Sequence, residues 1–503
     1  MPYYSSLAEY FHQRTKYDPE TLASKGGSLD WSQQPSPYKD YKLGTVYDLK
    51  PYLGESGQQD SWWHRLSRLM LYSYGLTARV PTVTGESIYL RAAPSAGALY
   101  PTEIYLVQGD GLWHYQTRTH SLIHFWTDQN CWDRLRSACF GHPALEVTKM
   151  AIVLTTIFYR SAWRYQDRAY RRVFLDAGHL LGNIELASAL SDFRPHLLGG
   201  FADQIVNEML FLDGKQEAVI GILPLQDLQT DLQIEGSFGC HTLASPISPP
   251  QETIPDGELL SALHTATVID VDNYQECRFM PESAIANSDK YNFPFCTRLS
   301  TLSPPIDWGA DLTNLATTIL RRRSTRQFSG EAISKDDLFA VLNFAYQPTD
   351  YVVQGLDGSP DYFDLSLIET FIAITAVDGI EVGCYYYAPQ AQELRQIRFK
   401  NFRKELHFLC LGQDLGRDAA AVIFHTTDLT KAVQKHGDRC YRYLHMDAGH
   451  LGQKINLAAI YLGLGVSGIA GFFDDQVNEV LGIPPAEAVL YITAIGAIPR
   501  SDL

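Results

Sequence analysis

"YQDRAYRRVFLDAGHLLGNIELASAL" (165–190) returns as "HGDRCYRYLHMDAGHLGQKINLAAIY" (436–461), and that return decides the fold. Further on, "GGFADQIVNEML" (199–210) returns as "AGFFDDQVNEVL" (470–481) at the same offset of 271 residues. Over the ungapped stretch of 46 residues, 19 are identical between the copies, where unrelated segments share only a few. The chain therefore carries one domain twice. Domain 1 is placed at 1–224 and domain 2 at 311–503, with a linker region at 225–310 that contains a run rich in Ser, Pro and Gln.

Local patterns fill in each copy. Ala177, Leu180, Leu181, Ile184 and Ala187 recur at helical spacing, as do Ala448, Leu451, Ile455 and Ala458. Short β-rich runs occur at 103–109, 151–159, 370–377, 420–427 and 488–498. Helices alternating with such strands predict a layered α/β or α+β domain. The DAGH motif tempts as an Asp–His catalytic pair, but it sits in both copies and no GxSxG nucleophile elbow accompanies it. It reads as helix interior and interface. Tyr170-Arg171 and Tyr441-Arg442 upstream read as packing and ion-pair residues.

Composition excludes some partners. With 41 basic and 57 acidic side chains the net charge is −16, against nucleic acid or an anionic membrane as main partner. The eight cysteines are scattered, without CxxC or metal-type spacing, which fits a reducing compartment. The opening "MPYYSSLAEYFHQRTKYDPE" has no apolar core, and the longest apolar run, 488–498, is too short to span a bilayer. A cytoplasmic location is expected.

Against the repeat, two stretches stand out because each occurs once. "RRRSTRQF" (321–328) begins at the end of a predicted helix over about 312–323. On charge alone it is a solvated helix end; as a cradle, its guanidinium forks would suit phosphate or pyrimidine acceptors. "PSAGALYP" (94–101) is a small-residue turn where backbone can approach a planar ligand. Domain 1 has "PYLGESGQQDSWW" where RRSTR would stand, and domain 2 has "GSPDYFDLSLIE" where PSAG would stand.

Together with "YRYLHMDAGH" and "GIAGFFDDQVNEVLGI", these stretches resemble the nitroreductase-like flavoprotein superfamily, and most of all its SagB-type dehydrogenases, which oxidise peptide azolines to azoles. The resemblance covers most of both domains. It implies an α+β fold, two nitroreductase-like domains of mostly antiparallel sheet flanked by helices, pairing within the chain as a pseudo-dimer. It also implies FMN at the domain interface, with hydride transfer at flavin N5. The implied cofactor-binding residues are Arg322, Arg323, Ser324, Arg326 and Arg500, the Gly-Phe loop at Ile469, Ala470 and Gly471, and, from the other domain, Pro94, Ser95, Ala96 and Gly97. Because the reciprocal site lacks its arginines, its PSAG loop and a counterpart of Arg500, a single FMN per chain is expected.

The subfamily's catalytic Lys-Tyr pair maps onto Arg164-Tyr165 and Lys435-His436, so neither copy keeps both residues. Tyr165, Lys435 and His436 remain the catalytic candidates, since arginine offers no accessible lone pair to a proton. No metal is implied. The expected partner is a small-molecule or peptide substrate, with NAD(P)H visiting the flavin pocket transiently if at all, and the chain is expected as a monomer or weak homodimer. An NAD(P)H-dependent nitroreductase or quinone reductase is the alternative activity, and a degenerate flavin-binding protein the non-catalytic one.

Overall fold

The computed structural model describes residues 4–24, 29–54, 61–81, 87–230, 242–271 and 288–499. Two seven-stranded antiparallel sheets form its framework. The first runs, in spatial order, through the strands starting at Thr45, Ser121, Gly111, Thr102, Met150, Glu217 and Phe193. The second runs through those starting at Arg298, Glu393, Gly383, Glu369, Ala421, Glu487 and Gly465. The order is the same in both, as the repeat requires. Both halves are α+β, as expected. The central strands, Met150–Ile157 and Ala421–Asp428, are buried along nearly their whole length, which is why they read as continuous apolar runs rather than alternating ones.

The region expected as linker contributes structure to both halves. The last strand of the first sheet continues to Asp227. Helix Leu259–Ala266 packs Leu259 and Leu263 into the same core cluster as the first DAGH helix. Arg298–Ser300 then pairs with Glu393–Arg395 at the edge of the second sheet. It takes the place that Thr45–Asp48 takes in the first. Shortness hid these elements: the edge strand Arg298–Ser300 has three residues and the helix Leu259–Ala266 eight.

The DAGH helices, Ala169–Ala189 and Cys440–Tyr461, are the axis of the molecule. They pack against each other, and both are buried almost all round rather than on one face. Each has a sheet on one side and the other helix on the next, so no side is left to water. Gly178 and Gly449, the glycines of the two motifs, meet where the helices cross. His179 reaches over to Gln453 (2.9 Å) and to the Tyr491 hydroxyl (2.8 Å).

The arginines upstream do form ion pairs, and they form them between halves. Arg168 and Arg171 hold Asp474 at 2.9 and 2.6 Å, and Arg439 and Arg442 hold Asp203 at 2.6 and 2.8 Å. All six groups are buried. Burial pushes both aspartates up, but the arginines outweigh it and leave them below the usual carboxylate range. Among the described residues no helix is long and apolar enough to cross a membrane.

Candidate functional site

Helix Thr313–Arg321 stops where Arg322 turns extended at ψ 123°. The chain then staples itself to the strand Gly465–Ile469: Thr325 N donates to Val466 O (2.8 Å), and Val466 N donates back to Thr325 Oγ1 (2.9 Å). A Cβ on Gly465 would stand 2.9 Å from Thr325 Cγ2 and from Phe328, so glycine lets the loop lie this close.

From this staple two arginines reach into the other half. Arg322 is buried and donates through Nε to Ala92 O (2.6 Å) and through Nη2 to Arg91 O (3.1 Å). Its Nη1 keeps no protein partner among the described residues. Arg323 donates to Thr77 O (2.7 Å) and Thr77 Oγ1 (3.1 Å), in the hairpin that precedes the PSAG loop. Ser324 is half-buried and Arg326 exposed. Among the described residues, Arg321, Arg322, Arg323 and Arg326 form no ion pair with any carboxylate. Burial, then the neighbouring Arg323 and Arg326, lower Arg322 to about 10, though the Tyr100 hydroxyl opposes this. Mutually repelling cations without a countercharge suit an anionic ligand.

The PSAG loop is held from below by the aspartate of the first DAGH motif. Ser95 Oγ donates to Asp176 Oδ2 (2.6 Å), Ala96 N donates to Asp176 Oδ1 (3.0 Å), and Tyr100 N donates to Ser95 Oγ (2.9 Å). The hydroxyl hydrogen of Ser95, one of the residues expected to hold the cofactor, is therefore committed to Asp176. Gly97 has φ +67°, and a Cβ there would stand 3.0 Å from the Tyr165 hydroxyl and 3.1 Å from Arg164 Nη1. Burial pushes Asp176 up to about 7, against the pull of Ser95 and Ala96.

Arg172 ties these parts together. Its guanidinium lies 3.8 Å from the Tyr165 ring centroid, and its Nη2 donates to Ala470 O of the Gly-Phe loop at 3.4 Å. A Cβ on Gly471 would lie 3.9 Å from the same nitrogen. Tyr491 senses both Asp176 and Arg322, which sets the PSAG support and the arginine loop in one electrostatic neighbourhood. The structure thus gathers Arg322, Arg323, the PSAG loop, Tyr165 and the Gly-Phe loop where the two halves meet. Arg500 lies outside the described residues.

Residues 76–225 and 319–497 match the profile described as the Nitroreductase family. The chain belongs to the nitroreductase family. A nitroreductase of Anabaena variabilis, so named with its crystal structure, is 59% identical, with a TM-score of 0.93, over 99% of this chain and 100% of that one. A protein of Methanocaldococcus jannaschii named as a nitroreductase is 29% identical over 34% of this chain and 84% of its own. The trifolitoxin-processing protein TfxB of Rhizobium leguminosarum bv. trifolii is 32% identical over 26% of this chain, and the microcin B17-processing protein McbC of Escherichia coli 26% identical over 28%. The matches span only 37% and 56% of those two processing proteins.

In this nitroreductase-family chain, Lys435 and His436 do not join Tyr165. Both close on Asp364, Lys435 Nζ at 2.9 Å and His436 Nε2 at 2.7 Å. Burial pushes Asp364 up, but the bonds from His436, Ser366 and Lys435 prevail and keep it below the usual range. Asp447, the second DAGH aspartate, accepts from Phe363 N (2.9 Å) and Asp364 N (2.7 Å), and burial pushes it up to about 8. The two DAGH aspartates thus support equivalent loops, one PSAG and one DYFD. Sequence reading missed Asp176, Arg172 and Thr77. For Arg172 a signal existed: its counterpart in the other copy is Tyr443.

Proposed function

We propose that this chain is an FMN-dependent oxidoreductase of the SagB dehydrogenase type with one flavin site, composed from both halves. The observation that carries this reading is the asymmetry of charge. Around RRSTR no arginine has a carboxylate partner among the described residues, whereas at the equivalent place in the other orientation Arg194 pairs with Asp357, Lys435 with Asp364 and Lys454 with Glu185.

The residues present fit the group. Arg323, Arg326 and the open Nη1 of Arg322 would hold the phosphate or pyrimidine edge, with Ser324 beside them. Gly97 and the Ala470–Gly471 backbone offer close approach to a flat ring system. Bound FMN supplies hydride transfer at N5.

Tyr165 would hold or donate a proton at its hydroxyl. Burial raises its pKa despite Arg172 and Arg164 nearby, so it stays protonated near neutrality. A cleft of about 640 Å³ is lined by Tyr17, Tyr159, Trp163, Arg164 and Tyr165. We take it as the entry for a peptide or small-molecule substrate. Since both halves of the site lie in one chain, a monomer suffices.

Flavin quantitation of the purified protein tests the reading: one FMN per chain is expected. Two per chain, or a colourless protein that does not take up FMN, would overturn it. The similarity to proteins named as nitroreductases supports a second reading, reduction driven by NAD(P)H. Anaerobic mixing with NADPH separates the two: rapid bleaching favours the reductase, and persistence of the oxidised spectrum favours the dehydrogenase.

A further inference from the structure

At the place that the 271-residue offset makes equivalent to the flavin locus lies a second cavity, of about 300 Å³. The strand Phe193–Pro195 and the following turn stand there where Gly465–Ile469 stands in the other half, and His450 stands for His179. Leu181, Phe193, Leu197, Leu223 and Leu356 make the apolar wall, and residues 355–361 of the second half close it.

Its charge is opposite to that of the arginine loop. Glu185, Asp357 and Asp361 line it, against Arg194 alone. Arg194 is drawn to Asp357 (2.9 Å) and lies 3.8 Å from Asp361. Glu185 is held by Lys454 (2.9 Å) and by His450 Nε2 (2.5 Å). Burial pushes Glu185 up, but Lys454 and His450 outweigh it and hold it at about 2, so it is ionised. His450 is neutral, lowered chiefly by burial, and must donate its Nε2–H to that carboxylate. Its Nδ1 is then a bare lone pair. That nitrogen has no hydrogen-bond partner among the described residues and is itself closed off from solvent.

We propose that this cavity is a second ligand site, for a small organic ammonium ion with an apolar body. The leucine wall takes the body. The ammonium N–H groups meet the carboxylate oxygens that line the cavity. A phosphate there would face three carboxylates against two cations already paired to them, Arg194 and Lys454, so the same features reject a second flavin. The proposal stands without the flavin reading, because none of its residues belongs to the arginine loop.

Titration calorimetry of the full chain with phenethylammonium chloride tests it, with phenylacetate and 2-phenylethanol as anionic and neutral counterparts. Saturable one-to-one binding of the ammonium is expected, at least about tenfold tighter than either counterpart, since one such contact is worth roughly that factor. Ala189→Trp and, independently, Leu228→Trp should fill the cavity and abolish binding; Asp357→Asn should weaken it. Arg323→Ala should leave it unchanged. The proposal fails if the ammonium does not saturate, if the alcohol or the carboxylate binds equally well, if folded Leu228→Trp and Ala189→Trp both bind as before, or if Arg323→Ala removes binding.

Discussion

Gly178 and Gly449 meet at the helix crossing: a Cβ on Gly178 would stand 2.8 Å from the Cα of Gly449 and against the carbonyl oxygen of Met446. The obstacle is backbone on both sides, and backbone of a buried helix does not step aside. Gly178→Ala should therefore destabilise the fold by about 1–3 kcal/mol, the usual cost of overpacking, although alanine favours the helix by up to about 1 kcal/mol. Urea unfolding checks this; an unchanged midpoint would show that the helices can separate freely.

The crossed ion pairs predict a larger effect. Asp203→Ala leaves Arg439 and Arg442 buried without their shared carboxylate. Breaking a buried pair from one side costs about 3–5 kcal/mol. The same substitution at Asp474 should cost a similar amount, because Arg168 and Arg171 stand there in the same relation. Thermal denaturation of both variants is the check, and a large difference between them would mean that the two halves are not held alike.

Asp176 makes stability depend on pH. Its folded pKa, about 7, lies above the ordinary 3.8, so the folded state binds the proton more tightly. The stability it contributes is fully present below pH 4 and is lost as pH rises toward and through 7. Asp176→Asn cannot titrate and escapes that loss. The melting temperature of the variant relative to the parent should climb between pH 5 and 8, and a flat difference would show that the carboxyl does not titrate there.

Two arginines of one loop should separate stability from cofactor binding. Arg322→Ala removes two charge-assisted bonds between the halves and should cost about 1.5–3 kcal/mol. Arg326 is exposed and forms no ion pair among the described residues, so Arg326→Ala should leave stability within about 0.5 kcal/mol. If FMN binds as proposed, the same change should weaken its affinity about tenfold, roughly 1.4 kcal/mol. Equilibrium dialysis against FMN, run beside unfolding curves, reads both quantities.

Tyr165→Phe removes the hydroxyl beside Gly97 while keeping the ring under Arg172. If that hydroxyl moves a proton, kcat should fall about 10²-fold with flavin content unchanged. Lys435→Ala should leave kcat near its parent value, because Lys435 closes on Asp364. A fall for Lys435 and none for Tyr165 would reverse the assignment.

Much of this was legible in the residues. The repeat announced two domains, and the single occurrences of RRSTR and PSAG announced that the two potential sites differ. DAGH was legible as helix interior and interface, but its partners were not. Its aspartate supports a loop some eighty residues upstream, its glycine admits the other helix, and its histidine reaches Tyr491 across the interface. Periodicity marks which residues are buried but not which element buries them, so helical spacing alone did not show that both helices are buried all round. Arg172 was hidden for the same reason: its partners, Tyr165 and Ala470, become neighbours only when the halves pair.

By itself the sequence determined a layered domain of helices and strands, its duplication and the asymmetry between the copies, because strand and helix patterns and turn residues act locally and survive in each copy. Only the tertiary structure decided which side chains share a site. It put Tyr165 beside Gly97 and sent Lys435 and His436 to Asp364, and it aimed Arg322 and Arg323 at the backbone of the other half. Those choices depend on how two helices 271 residues apart cross at a pair of glycines, and no local pattern encodes the geometry of that crossing.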